Sequence, residues 1–336
     1  MKLNSRSIVL SAMFGGRRGP RPAAGNPTSI ACHELMDQAG VSFPEAHLNA
    51  SAMAELALAG HEMVGFDTVM PEYSVVQEAA ALGARVDWGD RDRMPDVKEF
   101  PNADFSDVRI PADFLEKPAC RVVLDALAIL RRQVGGRAAV IGKVMGPWTM
   151  SYHMVGTQNF LLAVGMGETA RVNKMLRQLM PVTIDFINAQ FAAGADIVVL
   201  ADHATRNLVG PHHYEQYLLP IHQEITAQTG GPIILHVCGN CSDRLELFAR
   251  SGVDAYHFEW QVDAREAVRR IGGTVSLAGN VNNPQALLQG TPEDVYRQAR
   301  YAIEAGVHLI GPECAIPLST PLENLKAIVA AVREGY

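Results

Sequence analysis

The feature that most constrains the fold is a repeat of short apolar segments, each preceded by glycine and followed by polar residues. Seven segments show this pattern: 65–71, 137–147, 194–203, 231–240, 252–260, 273–280 and 306–312. Glycine suits the left-handed residue that ends a helix. Short apolar runs are typical of strands buried on both faces of a parallel sheet. The repeat therefore predicts an α/β fold with a parallel sheet.

Helical patterns fill the gaps between these segments. Apolar residues recur at helical spacing over 52–64, 122–133 and 168–193. The run Thr291-Pro292-Glu293-Asp294 predicts a helix start, with a capping threonine, a proline in the first turn and acids near the positive end of the dipole. Residues 319–323 (STPLE) repeat this device before the last helix.

Seven strand-helix units, with an eighth expected in the N-terminal third, predict a (β/α)₈ TIM barrel that forms a single domain over residues 1–336. A doubly wound open sheet would instead carry a glycine-rich phosphate loop, and neither GxGxxG nor GxxxxGK[ST] occurs. We expect residues 1–50 to form an N-terminal extension that packs on the barrel. The polar stretch 89–111 should decorate one end of it.

Composition excludes several classes of protein. The net charge of −7 argues against binding to nucleic acid, and the basic run 17–22 is interpreted as a surface turn. No apolar run is long enough to span a membrane. The first 16 residues lack the pattern of a signal peptide and predict a short amphipathic helix. Five scattered cysteines indicate a reducing, cytoplasmic setting.

Residues that bind metals or move protons are concentrated where the predicted strands end. In a TIM barrel, side chains just after each strand share the face that holds the active site. The candidates on this face are Asp202, His203, His236, Cys238, Glu259, Asn280 and Cys314.

His236 and Cys238 form an i, i+2 pair, and such residues point the same way on an extended strand end. Cys314 follows the last strand, which lies near the other strand mouths in a closed barrel. One imidazole and two thiolates match the ligand preference of zinc and leave a coordination position open for catalysis. Core packing is the alternative for His-x-Cys. Cys241 could form a redox pair with Cys238, act as a fourth ligand, or simply begin a helix.

Several segments together resemble one known family, the methylcobamide:coenzyme M methyltransferases of the uroporphyrinogen decarboxylase superfamily. The resemblance covers nearly the whole chain, and its most specific parts are the H-x-C pair and the late cysteine. The segments are ELMDQAGVSFPEAHLNASAMAELA (34–57), GFDTV (65–69), GPWT (146–149), AGADIVVLAD (193–202), IILHVCGN (233–240), SLAGNV (276–281) and GPECAIPLSTPLENLKAIV (311–329).

This resemblance implies a TIM barrel with zinc held by His236, Cys238 and Cys314. It also implies transfer of a methyl group from a methylcobamide to a small thiol such as coenzyme M. No D-x-H-x-x-G cobalamin motif occurs, so the corrinoid is expected on a separate carrier protein. The R-Q-A-G-R run of true decarboxylases is also absent, which argues against the alternative of a tetrapyrrole decarboxylase. A demethylase component with another donor or acceptor is a further alternative.

Other strand-end residues receive roles under this hypothesis. Glu259 is a candidate for a displaceable fourth zinc ligand, or else an ion-paired acid. Asp202 could orient a zinc ligand or bind substrate, or else cap a helix. Asn280 is expected to line the pocket. Three further residues are candidates for an apolar platform under the corrinoid, with core packing as the alternative: Tyr73, Met145 and Trp148.

Overall fold

The computed structural model describes residues 4–14 and 21–334, so residues 17–20 of the basic run lie outside the described part. Ten strands form within the described residues: β1 (Ala23–Ala24), β2 (Thr68–Val69), β3 (Arg85–Asp87), β4 (Asp96–Glu99), β5 (Ala139–Met145), β6 (Ile197–Ala201), β7 (Ile233–His236), β8 (Ala255–Phe258), β9 (Ser276–Val281) and β10 (Leu309–Pro312).

Eight of these strands build a parallel sheet in the order β1-β10-β9-β8-β7-β6-β5-β2, which curls into the predicted TIM barrel. All seven strand segments predicted from the glycine repeat are present in it. The eighth strand of the N-terminal third is β1, which has only two residues. β3 and β4 pair antiparallel outside the barrel, and β4 lies within the polar stretch 89–111.

Asp67 joins β1 to β2 and so closes the barrel. Its backbone N–H donates to the carbonyl of Ala24 over 2.7 Å. Its buried carboxylate accepts the backbone N–H of Ala24 at 2.9 Å and a two-pronged ion pair from Arg21 at 2.7 and 2.8 Å. A paired and hydrogen-bonded carboxylate is stable at this buried position.

Helices alternate with the barrel strands, as the sequence predicts. Within the described residues they are α1 (Ser5–Phe14), α2 (His33–Ala39), α3 (Glu45–Leu48), α4 (Ala50–Ala59), α5 (Gln77–Ala81), α6 (Pro118–Val134), α7 (Pro147–Val155), α8 (Thr157–Gly165), α9 (Thr169–Ala193), α10 (Pro211–His213), α11 (Leu219–Ala227), α12 (Leu245–Ala249), α13 (Ala264–Ile271), α14 (Pro292–Ala305) and α15 (Leu322–Arg333). Single π-helical turns occupy Gly60–Val64, Tyr214–Leu218 and Asn283–Leu288, and a 3₁₀ turn occupies Phe114–Glu116.

The helix ends follow the expected chemistry in two clear cases. α9 stops at Gly194, whose φ of +113° is open to glycine and strained for other residues. α14 begins with a complete capping box, in which Thr291 accepts from the Asp294 N–H while the Asp294 side chain accepts from the Thr291 N–H.

The amphipathic helix predicted at the start of the chain is α1, and it covers the N-terminal end of the barrel. Its buried side chains join the inward-facing residues at the strand starts in one apolar cluster: Ile8, Val9, Ala12, Met13, Ala23, Ala139, Ile141, Ile197, Val199, Ile234, Ala255, Ala278 and Leu309. Within residues 4–14 and 21–334, we find no helix with both the length and the apolar character needed to cross a bilayer. The opposite, C-terminal end of the barrel carries the polar side chains.

Candidate metal centre

Three strand-end side chains meet at the C-terminal mouth of the barrel. His236 is the last residue of β7, Cys238 lies two residues further on, and Cys314 lies two residues beyond β10. Nε2 of His236 is 3.1 Å from Sγ of Cys238 and 3.5 Å from Sγ of Cys314. The two sulfur atoms are 3.6 Å apart. The barrel thus brings the three predicted ligands together on one face.

The triangle of donor atoms fits a tetrahedral zinc ion. Zn–S bonds of about 2.3 Å and Zn–N bonds of about 2.0 Å at tetrahedral angles separate two sulfurs by about 3.8 Å, and a sulfur and a nitrogen by about 3.5 Å. The donor atoms here are 3.1 to 3.6 Å apart, close to that spacing. Among the described residues, His236, Cys238 and Cys314 are the group of His, Cys, Asp and Glu side chains that could hold a metal. A set of three leaves one position open.

Electrostatics already favour a thiolate at this centre without metal. The hydrogen bond from Cys238 and the charge of His236 hold the pKa of Cys314 well below its usual range. The same hydrogen bond and burial raise the pKa of Cys238. Burial opposes protonation of His236, but the neighbouring charge and hydrogen bond of Cys314 outweigh it and raise its pKa. A metal ion would replace the protons that these three groups share.

Cys241 lies outside this group of donors. Its buried Sγ points at backbone carbonyls, 3.9 Å from that of Val237 and 3.8 Å from that of Cys238. Burial raises its pKa to about 12, so it carries no thiolate at neutral pH. Both Cys238 and Cys241 are free thiols. This environment suits a small packed side chain rather than a metal ligand or a redox partner.

A cavity of about 280 Å³ opens directly onto the three donors. Its walls come from the strand ends and the loops that follow them. The lining residues are Thr28, Tyr73, Val75, Lys143, Met145, Thr149, Tyr152, His153, Ala201, Asp202, His203, His236, Cys238, Cys314 and Ala315.

Asp202 is buried in the cavity wall and held by partners on two elements. Its Oδ1 accepts the backbone N–H of Thr149, in the first turn of α7, at 2.7 Å. Its Oδ2 lies 2.9 Å from Nε2 of His222, whose Nδ1 in turn lies 2.8 Å from the hydroxyl of Tyr214. Both His222 and Tyr214 are fully buried. Asp202 therefore caps α7 and borders the cavity at the same time.

The structure separates the three residues predicted as an apolar platform. Tyr73 and Met145 line the cavity. Trp148 lies fully buried behind the wall, where its Nε1 donates to the hydroxyl of Tyr152 at 2.5 Å and its ring packs edge-on against Phe160. Trp148 thus supports the wall without forming its surface.

Two other predicted residues are not part of the donor triangle. Asn280 lines a separate outer cavity and donates from Nδ2 to the carbonyl of Val262 at 3.1 Å. Glu259 follows β8, and burial raises the pKa of its carboxyl. Its charge interacts with His236 and Cys314, but its oxygens are not part of the group of potential metal ligands.

Comparison with known proteins gives the family. Residues 7–335 match the profile of uroporphyrinogen decarboxylase (URO-D). The chain belongs to the uroporphyrinogen decarboxylase family. Within this family it is 33% identical over 312 residues to a methylcobamide:CoM methyltransferase of Methanosarcina barkeri, and the alignment covers 92% of each chain. This result confirms the resemblance inferred from the sequence motifs.

Two further relatives match this chain over different lengths. The solved structure of a methyltransferase from Methanosarcina mazei superposes with a TM-score of 0.94 at 31% identity, covering 99% of each chain. A uroporphyrinogen decarboxylase of Coxiella burnetii is 33% identical over 240 residues, which cover 65% of each chain. The methyltransferases of the family thus match along more of the chain than this decarboxylase does.

Two residues of the site are not identified by the sequence patterns. Lys143 lies inside β5 and lines the cavity, and the signal for it was a single charge within an otherwise apolar strand. Glu313 precedes Cys314, and its buried carboxylate accepts the N–H groups of Asn283 at 2.8 Å and Trp260 at 2.7 Å. Glu313 thereby ties together the chain segments after β8, β9 and β10, which fixes the position of Cys314.

Proposed function

We propose that this protein is a zinc-dependent methyltransferase, which moves a methyl group from a protein-bound methylcobamide to a small thiol such as coenzyme M. The observation that carries the proposal is the triangle of His236, Cys238 and Cys314 at the floor of an open cavity. The likeness to a methylcobamide:CoM methyltransferase over 92% of both chains supports the methyl chemistry.

His236, Cys238 and Cys314 would hold the zinc. When bound, zinc offers its open position to the substrate thiol and stabilises the thiolate at neutral pH. Two cysteinates and a neutral imidazole leave the centre without net charge, so an added thiolate keeps much of its electron density. Glu313 and Asp202 keep the surrounding loops in place by the hydrogen bonds described above.

The reaction balances as a displacement at the methyl carbon. A carbon–sulfur bond forms as the carbon–cobalt bond breaks, and the electron pair of that bond stays on cobalt. The thiol proton is released to solvent. The products are a methyl thioether and a Co(I) corrinoid.

The size of the cavity decides how the two substrates reach each other. A volume of about 280 Å³ accommodates a short thiol, but it is far too small for a corrinoid ring. We therefore propose that the corrinoid, on its carrier protein, covers the barrel mouth while the thiol binds below it. Tyr73 and Met145 are positioned to contact the substrates directly, whereas Trp148 acts only through the wall that it supports.

Three further assignments belong to the same proposal. Glu259 is our candidate for the displaceable fourth ligand in the resting enzyme, because its charge already interacts with His236 and Cys314. The cytoplasm is the compartment that we propose, since five free cysteines and a thiolate centre require reducing conditions. We also propose that residues 1–336 form one domain, which the family match over 7–335 supports.

Optical assay with free methylcobalamin tests the function. Purified zinc-loaded protein is mixed with methylcobalamin under anaerobic conditions, and formation of Co(I) is followed with coenzyme M and with other small thiols. We expect thiol-dependent demethylation that is lost in Cys314→Ala. Absence of demethylation with every thiol by the zinc-loaded protein would overturn the proposal, and so would full activity of Cys314→Ala.

A further inference from the structure

The cavity beside the donor triangle contains a buried ammonium group with no carboxylate partner. Lys143 lies within β5 and is only 4% exposed. Its Nζ donates to the carbonyl of Ser74 at 2.8 Å. Among the residues that the structure describes, the lysines that form ion pairs within 4.0 Å are Lys98, Lys117, Lys174 and Lys326, and Lys143 is not one of them. Two of its three N–H donors are therefore left for other partners.

An ammonium group in this position is costly unless negative charge comes near it. Burial lowers the pKa of Lys143, although the more distant carboxyls of Glu72 and Glu78 act in the opposite direction. Those carboxyls are themselves fully buried, and burial raises the pKa of each. Both oxygens of Glu72 and Oε2 of Glu78 lie buried without a hydrogen-bond partner, and among the described residues neither carboxyl forms a direct ion pair with Lys143. An anion in the cavity would therefore add to the compensation that these carboxyls give the ammonium.

Lys143 lies where it can contact a thiol bound at the proposed zinc centre. Lys143, Cys238 and Cys314 all border the same cavity of about 280 Å³. At about 30 Å³ for each water-sized group, this volume accommodates about nine non-hydrogen atoms. A ligand of that size can place a sulfur at the donor triangle and an acidic group at the ammonium.

We propose that Lys143 is a specificity-determining residue that binds the anionic group of the substrate thiol. The inference rests on the proposed function and assigns one residue to the sulfonate of coenzyme M, or to the equivalent acidic group of another short thiol. The charge-assisted hydrogen bond orients the thiol, so that its sulfur is directed toward His236, Cys238 and Cys314.

A different role for Lys143 would be to compensate the negative charge of the cysteine thiolates, since it also interacts electrostatically with Cys238 and Cys314. The two roles predict different results. Charge compensation would affect zinc binding and every thiol alike, whereas recognition of an anion affects only ligands that carry one.

Calorimetric titration of the zinc-loaded protein separates these roles. Three probes are used: 2-mercaptoethanesulfonate, the neutral 2-mercaptoethanol, and ethanesulfonate, which has no thiol for the metal. The variants are Lys143→Gln and Lys143→Arg, and Lys326→Gln removes one exposed charge as a matched control. Zinc content and circular dichroism establish that each variant is folded.

We expect wild type to bind 2-mercaptoethanesulfonate more tightly than 2-mercaptoethanol. This ratio should fall by about tenfold to hundredfold in Lys143→Gln, the effect of one charged hydrogen bond. It should be largely restored in Lys143→Arg and unaltered in Lys326→Gln. An unaltered ratio in Lys143→Gln, or equal weakening of both thiols together with loss of zinc, would overturn the inference.

Ethanesulfonate distinguishes failure of this inference from failure of the proposed function. Binding of ethanesulfonate to wild type but not to Lys143→Gln supports the anion site, even if no thiol is methylated. Methylation of thiols with no dependence of sulfonate binding on Lys143 retains the function and rejects the role of Lys143.

Discussion

Cys314 is 78 residues from His236 in the sequence and 3.5 Å from it in the structure. The i, i+2 spacing predicts that His236 and Cys238 share a side, because strand geometry fixes it locally. The approach of Cys314 follows only from closure of the barrel. Lys143 could not be predicted as a cavity residue, since its neighbours in β5 are all apolar or glycine and do not reveal which face is inward.

Replacement of single cysteine residues tests which of them bind the zinc ion. We expect Cys314→Ala to lower zinc affinity by at least about a hundredfold, more than the loss of an outer partner of a metal ligand. Cys241→Ala is the matched control, because its sulfur contacts backbone carbonyls and is not part of the donor group. Zinc content by mass spectrometry checks both. Equal loss of zinc in the two variants would show that Cys241 is a ligand.

His47 should make stability depend on pH. It is fully buried against Phe43, with ring centroids 4.1 Å apart, and burial followed by the charge of Lys143 lowers its pKa to about 3. The unfolded chain binds the proton at about pH 6.5. As the pH falls from about 6.5 toward 3, only the unfolded state gains the proton, so the folded state loses stability.

We therefore expect wild type to lose about 2 kcal/mol more unfolding free energy than His47→Gln between pH 7 and pH 5. Urea unfolding of both proteins at the two pH values measures this difference, and any effect of the substitution that is independent of pH cancels. An equal loss in both proteins would mean that His47 takes up its proton in the folded state.

At the scale of elements, the capping patterns in the sequence predict one helix start correctly and place another one residue too early. The capping box of Thr291 is present as expected. Before α15, however, the residue at the cap is Pro321 and no side chain caps the helix, so Thr320 lies one position too early. β1 was not located in advance, because two alanines carry no periodic signal.

The junction between β5 and α7 supplies a prediction for one element. A Cβ at Gly146 would lie 2.3 Å from the carboxylate of Asp202, which is itself held by α7 and His222. We expect Gly146→Ala to lower the unfolding free energy by about 1–3 kcal/mol through overpacking. Denaturant unfolding with circular dichroism measures it.

Gly165 in α8 is the matched control, since a Cβ there meets nothing within 4 Å. Gly165→Ala should be neutral or stabilise by up to about 1 kcal/mol, because alanine favours the helix. If the two variants have the same stability, Asp202 is free to move and does not fix the junction.

The fold of the whole molecule can be predicted from the repeat of strand segments more directly than any single site can. Seven predicted strands are enough to specify the barrel, whose closure depends on non-local contacts that no local pattern reveals. The ion pair of Arg21 with Asp67 and the packing of α1 against the strand starts are such contacts. They hold the barrel together at the end remote from the proposed zinc centre.

Removal of zinc should consequently abolish methyl transfer without unfolding the barrel. The strands that carry or precede the donor side chains pack through an apolar core to which none of the three donors belongs. We expect chelation to leave far-ultraviolet circular dichroism unaltered and cooperative thermal unfolding intact, with stability lower by about 4 kcal/mol at a thousandfold excess of zinc over its dissociation constant. Collapse of secondary structure on chelation would contradict this account.

X-ray absorption at the zinc edge, on the purified protein before and after addition of coenzyme M, tests the central claim most directly. We predict one zinc per chain with one nitrogen and two sulfur ligands from the protein. In the resting protein an oxygen of Glu259 should complete the shell, and a third sulfur should replace it when the thiol is present. A protein without stoichiometric zinc, or a zinc shell that gains no sulfur from the thiol, would contradict thiol activation at His236, Cys238 and Cys314.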